Sequence, residues 1–261
     1  MLTFRGSYNM PARKKKNGNG NGNGTVSRAM KKKPPINLEH LRVIEPLTPS
    51  QEDVFDAFKN GQNLVLHGSA GTGKTFISLY LALQAVLEPT SPYDRVYIVR
   101  SLVPTREIGF LPGDEEDKSN LYQTPYRNMV RYMFNMPDEG TFKVLYDNLR
   151  NQGSIDFWST SFLRGITLDR AIIIVDEFSN LNFHELDSIV TRVGQDSRII
   201  FSGDYTQSDL VKSHERTGVL DFMKITQAMD KFTCTEFGIN DIVRSGFIRD
   251  YLICKHEMGF A

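Results

Sequence analysis

Residues Gly68, Ser69, Ala70, Gly71, Thr72, Gly73, Lys74 and Thr75 spell G-x-x-x-x-G-K-T. That spacing suits one chemistry, the cradling of phosphate groups by a glycine-rich turn. Consecutive backbone N–H groups of such a turn point inward at phosphate oxygens. Lys74 is then expected to reach the β- and γ-phosphates, and Thr75 to hold Mg²⁺. A short apolar run, Leu64–His67, precedes the turn, and a Leu/Ala/Ile-rich segment, Phe76–Glu88, follows it and stops at Pro89. The pattern predicts strand, loop and helix, with the helix N-terminus facing the phosphates.

Two further apolar runs end in chemistry. Ala171-Ile-Ile-Ile-Val runs into Asp176-Glu177, as expected of a buried parallel strand delivering acids at its C-terminal edge. Asp176 is expected to bind Mg²⁺ through water, and Glu177 to polarise the attacking water. Arg198-Ile-Ile-Phe-Ser runs into Gly203-Asp-Tyr-Thr-Gln207, which places Gln207 where it could sense the γ-phosphate or that water.

Upstream, Thr48-Pro-Ser-Gln51 reads as a helix start, with Thr48 as N-cap, Pro49 in the first turn and Gln51 reaching back. Gln51 has a second reading. A glutamine amide can donate to and accept from an adenine edge, so Gln51 either caps, reads the base, or does both.

These residues must be positioned by a chain of 261 residues with 31 Lys/Arg and 31 Asp/Glu, long enough for one substantial core. Charge is unevenly placed. Residues 1–36 hold nine Lys/Arg and no acid, leaving 22 basic against 31 acidic residues elsewhere, a net of −9. Residues 1–45 include Arg13-Lys-Lys-Lys16, four Asn-Gly repeats over 17–24 and Lys31-Lys-Lys-Pro-Pro35. Such a composition builds no core, so a disordered basic tail is expected over 1–45 and a folded domain over 46–261. The tail is either a solvated arm or one drawn to nucleic-acid phosphates by charge.

Cys234 and Cys254 form no C-x-x-C pair; inert buried thiols in a reducing cytoplasm are expected. The five histidines show no metal-ligand spacing. No apolar run approaches about 18 residues, and the N-terminus lacks the apolar core of a secretory signal, so no membrane association is expected.

The remaining elements follow from pattern. Arg95–Arg100 reads as a buried strand, 115–153 as polar and partly helical, Ile155–Ser159 as a strand, and Phe232–Phe237 as the last strand. Tyr122, Tyr126, Tyr132 and Phe134 have spacing that fits core packing better than a base-stacking face. Asp241–Leu252 reads as a closing helix. The fold expected is α/β, a mostly parallel sheet flanked by helices, and the resemblance of the motifs to helicase-like ATPases implies the RecA-like, helicase-like P-loop NTPase class.

The ordered set resembles the PhoH family of P-loop ATPases, above all the short PhoH-like proteins of bacteriophages. The residues that carry the resemblance are Gly68–Thr75, Arg100 with Gly109-Phe-Leu-Pro-Gly-Asp114, Leu163–Leu168 leading into Ile174-Val-Asp-Glu-Phe-Ser-Asn180, Gly203–Leu210, and Asp241-Ile-Val-Arg244. It covers about residues 47–255. The chain departs from the family at Phe178-Ser179-Asn180, where Ala-Gln-Asn is usual. The resemblance implies ATP and Mg²⁺ as ligands, ATP hydrolysis, and the RNA-helicase activity proposed for some members. A phage-borne chain would work in its host's cytoplasm.

A monomeric helicase needs a second motor domain, and none fits in this length. The leading expectation is therefore an ATPase acting on RNA or single-stranded DNA as a homo-oligomer, a ring such as a hexamer. Arg244 is then expected either as an arginine finger supplied by a neighbouring subunit or as a surface residue paired with Asp241; Arg100 and Arg164 are rival fingers. A nucleotide switch with little turnover is the alternative, and transfer of phosphate to a small acceptor is a third reading, disfavoured by the strand order and Gln207.

Overall fold

The computed structural model describes residues 36–100, 115–160, 163, 165–204 and 213–259, with side chains placed outside 115–122 and 213–217. Its centre is a six-stranded sheet of β1 (Asn63–Gly68), β2 (Arg95–Arg100), β3 (Ile155–Ser159), β4 (Ala171–Asp176), β5 (Arg198–Ser202) and β6 (Phe232–Phe237). The spatial order is β3-β2-β4-β5-β1-β6, and all five pairings are parallel. This is the α/β architecture, a parallel sheet flanked by helices, expected from the sequence. β5 lies between β1 and β4, so the ends of three adjacent strands, at Gly68, Asp176 and Ser202, open on the same edge.

The helices are α1 (Pro49–Lys59), α2 (Lys74–Leu87), α3 (Glu115–Phe134), α4 (Glu139–Asn151), α5 (Phe183–Val190), α6 (Ser213–Gln227) and α7 (Phe247–Glu257). Alternation along the strands sends side chains to two cores. Leu64, Leu66, Ile172, Ile174 and Ile200 join the core under α1 to α4. Val65, Ile173, Val175, Ile199 and Phe201 join the one under α5 and α6. All six residues of β4 are buried. A strand covered on both faces has to read as an unbroken apolar run, which is why Ala171–Val175 does.

The core begins before the boundary expected at residue 46. Ile36 and Leu41 are buried around a short 3₁₀ turn, Leu38–His40. Residues 1–35, and with them most of the expected basic tail, lie outside the described residues. The closing helix also differs from expectation. Ile239–Asp241 is a 3₁₀ turn, and α7 starts only at Phe247. The thiols differ too: Cys254 is exposed and Cys234 half-buried, with burial raising the Cys234 pKa above its ordinary value. All described residues belong to one compact unit.

The turn from β1 into the loop tolerates no side chain. At Gly68 φ is +108°, and a Cβ would lie 2.3 Å from the carbonyl oxygen of Phe237 on β6. Gly153 also has a positive φ, +70°, but faces open space. Gly68→Ala is therefore expected to cost at least about 2 kcal/mol, strain plus a backbone clash, and Gly153→Ala only the strain, about 1 kcal/mol. Urea midpoints of the two variants measure the difference; equal shifts would mean that the β1–β6 contact gives way.

Candidate functional site

The loop 68–73 leaves the C-terminal end of β1 and turns into α2, with Gly73 as its left-handed N-cap. The first N–H groups of any helix have no carbonyl within that helix to bond, and here they open toward the strand ends. Lys74 is buried and folded along the loop. Its Nζ donates to the carbonyls of Gly68 (2.8 Å) and Ser69 (2.7 Å) and to Thr72 Oγ1 (3.3 Å). Burial lowers the Lys74 pKa to about 8, against the pull of Asp204 and Asp176. An anion arriving beside it restores what burial removed, because a nearby negative charge favours the ammonium form.

The acids stand across from this lysine. Thr75 Oγ1 donates to Asp176 Oδ1 at 2.8 Å, and the Tyr126 phenol donates to Asp176 Oδ2 at 2.6 Å. Burial pushes the Asp176 pKa above its ordinary value, while both hydrogen bonds favour the charged form. Burial beside Asp176 also raises the Tyr126 pKa, so the phenol remains a donor. Thr75 and Asp176 are hard oxygen donors of the kind Mg²⁺ takes, and the pair fits that ion. Glu177 is one residue beyond the strand, with φ +52°. Its Oε1 pairs with Arg100 Nη2 at 2.6 Å, and its side chain is 48% exposed. A non-glycine residue held at positive φ is a strained placement that surrounding structure must sustain.

A cavity of about 1170 Å³ is lined by Ala70 to Ile77, the two acids and Ser202–Asp204. Residues Arg42–Glu45, Leu47, Gln51, Tyr132 and Arg244 close its other sides. The structure thus brings together Gln51, Lys74, Thr75, Asp176, Glu177 and Arg244 of the residues expected from the sequence. Gln207, Arg164 and the segment 109–114 lie outside the described residues.

Two of these residues make contacts with the phosphate loop that their sequence does not reveal. Gln51 is buried. Its Oε1 accepts from Leu47 N–H at 2.8 Å, and its Nε2 donates to the Thr72 carbonyl at 3.0 Å, so the amide ties α1 to the phosphate loop. Thr48 caps α1 as expected. Arg244 lies over the loop of its own chain. Val243 N–H donates to the Gly71 carbonyl at 3.1 Å. The space a side chain at Gly71 would need is filled by Arg244 Cγ and Leu252 Cδ1. Asp241 is not the partner expected for Arg244; its carboxylate accepts from Ser50 Oγ (3.0 Å) and Gly238 N–H (2.9 Å).

Tyr126 is the residue that sequence reasoning missed. Its aromatic spacing fits core packing, and the ring is indeed buried; the phenol's partner fifty residues away leaves no trace in that spacing. Phe134 is buried as well, whereas Tyr132 is exposed on the cavity wall. Tyr126→Phe leaves Asp176 Oδ2 without this donor in a buried setting. The expected cost is about 1–3 kcal/mol of stability, measured by urea unfolding without added metal. An unchanged midpoint would show that the hydrogen bond contributes nothing.

Over residues 43–254 the chain matches the family described as PhoH-like protein. It belongs to the PhoH-like family. Among PhoH-like relatives, it is 34% identical to Protein PhoH2 of Bacillus subtilis (strain 168) over 147 residues, 56% of this chain and 32% of that protein. It is 30% identical to a PhoH-like protein of Synechocystis sp. over 208 residues, 79% of this chain and 60% of that protein. The chain therefore spans between about a third and three fifths of these two curated relatives. Among solved structures, the large terminase of a thermophilic bacteriophage shows a weak likeness: TM-score 0.46 and 12% identity, over 81% of this chain and 50% of that one. No helix among the described residues of this PhoH-like chain is long and apolar enough to cross a membrane.

Proposed function

We propose that this chain binds and hydrolyses ATP, and that it couples turnover to RNA or single-stranded DNA. One observation carries the hydrolytic reading: Lys74, the Thr75–Asp176 pair and Glu177 line a single cavity at the ends of adjacent strands. In this reading the triphosphate lies along loop 68–75, and Lys74 exchanges its carbonyl partners for β- and γ-phosphate oxygens. Thr75 and Asp176 would hold Mg²⁺, which supplies charge neutralisation on those oxygens. Glu177 accepts a proton from the water that attacks the γ-phosphorus, Gln207 contacts that water or the γ-phosphate, and Arg244 neutralises charge developing there.

Nucleic acid as partner is supported by the nine basic residues and no acids of the N-terminal 36. Such an arm binds phosphates with a strong salt dependence. A homo-oligomer, for which a hexameric ring is the form proposed, is supported by exposed Phe247, Ile248 and Tyr251 on α7. That helix also carries Leu252, which touches the phosphate loop at Gly71, so assembly would bear on the nucleotide site.

A second reading, a nucleotide switch with little turnover, is favoured by the Arg100–Glu177 ion pair, which engages a carboxylate oxygen that hydrolysis needs facing the attacking water. Phosphate release by the purified chain with an RNA oligomer, a single-stranded DNA oligomer or neither separates the two. Turnover raised at least about tenfold by nucleic acid supports the motor reading. ATP binding without stimulated turnover supports the switch, and no ATP binding contradicts both.

A further inference from the structure

One wall of the cavity is a strap, Arg42 to Leu47. The strap crosses from the end of α3 to the start of α1. Arg42 N–H donates to the Met133 carbonyl (2.8 Å), Ile44 N–H donates to the Tyr80 hydroxyl (3.1 Å), and Leu47 N–H is held by Gln51. It therefore runs along the face of α2 that carries Tyr80 and, one turn earlier, Phe76. Phe76 directly follows the phosphate-loop threonine, and its ring meets that of Tyr132 at 5.8 Å between centroids. A triphosphate lying along the loop shares its cavity with the strap, which puts the strap in the space open to its nucleoside.

The strap offers flat and apolar surface at that place. Val43 and Leu47 are 86% and 75% exposed, and both line the cavity. The Arg42 guanidinium rests over the Tyr132 ring, 4.7 Å from its centroid, and donates to Asn135 Oδ1. Tyr132 and Asn135 thus fix the orientation of a guanidinium that also borders the cavity. Guanidinium planes stack on nucleobases, and backing by an aromatic ring removes much of the entropy cost of doing so.

Polar readers of base identity are poorly supplied here. Gln51, the residue whose amide would suit adenine, has its oxygen on Leu47 and its nitrogen on Thr72. Glu45 is an exposed carboxylate on the same strap. Every nucleobase presents at least one N–H donor on its pairing edge, so one mobile acceptor does not sort them. Stacking tolerates any base, since each has a π-face.

Resting on the triphosphate reading above, we infer that the strap is a stacking subsite for the nucleobase, with Arg42 as its platform, and that this chain takes nucleoside triphosphates with little discrimination between bases. Arg42 acts on the base and leaves the phosphates to Lys74.

Calorimetric titration of the full chain with Mg·ATP, Mg·GTP and Mg·tripolyphosphate tests this, using the parent, Arg42→Ala and Arg42→Lys. ATP and GTP are expected to bind the parent within about threefold of each other. Both variants are expected to weaken both nucleotides by about tenfold, the range for loss of one stacking partner, with tripolyphosphate unchanged. Lysine keeps the charge but not the plane, so rescue by Arg42→Lys would overturn the stacking role. A parallel loss of tripolyphosphate binding would reassign Arg42 to the phosphates. A preference of about thirtyfold or more for one purine would show that a polar reader, Gln51 foremost, is at work. If the parent bound neither nucleotide nor tripolyphosphate, the triphosphate reading itself would fall.

Discussion

Glu177→Gln should bind ATP with an affinity within a few-fold of the parent and turn it over about 100-fold more slowly or worse, the range for loss of a general base. The amide keeps the shape and the left-handed backbone of the glutamate but cannot take a proton from water. Folding should be little affected, because the side chain is half-exposed and its partner Arg100 is itself partly open to solvent; surface changes of this kind cost within about 0.5 kcal/mol. Nucleotide affinity and phosphate release, measured on the same preparation, separate binding from chemistry. Turnover at the parent rate would remove Glu177 from the role of base.

Arg244→Ala should slow turnover on the order of 10³-fold, the effect of removing a cation that neutralises the γ-phosphate in the transition state. In the reading proposed for Arg244, the loss also has a defined behaviour in mixtures. Arg244 lies over Gly71 of its own chain, and the Val243–Gly71 hydrogen bond holds the segment there. A mixture of Lys74→Ala and Arg244→Ala chains should therefore regain no activity, even in verified mixed oligomers, because neither chain carries a complete site. Recovery in the mixture would mean that Arg244 serves a neighbour's nucleotide. Full activity of Arg244→Ala alone would leave it only the packing of its aliphatic stem on the loop.

The sheet and the edge that holds the candidate site were legible because local sequence carries them. β1, β2, β4 and β5 are apolar runs that stop at glycine or charge, and a strand buried on both faces can be written in few other ways. The loop 68–75 is a local motif, so Lys74 and Thr75 follow from spacing alone, and Asp176 and Glu177 follow from their place at the end of β4. What sequence did not carry were contacts between distant segments. Tyr126 bonds Asp176 from α3, Gln51 bonds Thr72 from α1, and Val243 bonds Gly71 from beyond β6. The last of these explains the misplaced start of α7. Residues 242–246, Ile-Val-Arg-Ser-Gly, have only weak helix propensity; Ile242 is extended (ψ 111°), and the bond from Val243 to Gly71 carries the chain across the loop. A long-range hydrogen bond of this kind overrides a weak local propensity. Ile36 and Leu41 were missed for the complementary reason: two apolar residues beside a basic, proline-rich stretch give no periodicity, yet a ready-made core buries them.

Central to the proposed chemistry is a triphosphate lying along loop 68–75 with its γ end toward Glu177. A crystal structure of the chain with Mg²⁺ and a non-hydrolysable ATP analogue tests this most directly. The expected density has Lys74 Nζ withdrawn from the Gly68 and Ser69 carbonyls and bonded to phosphate oxygens, with the metal beside Thr75 and Asp176. Density with Lys74 still on those carbonyls and the analogue bound elsewhere would contradict it.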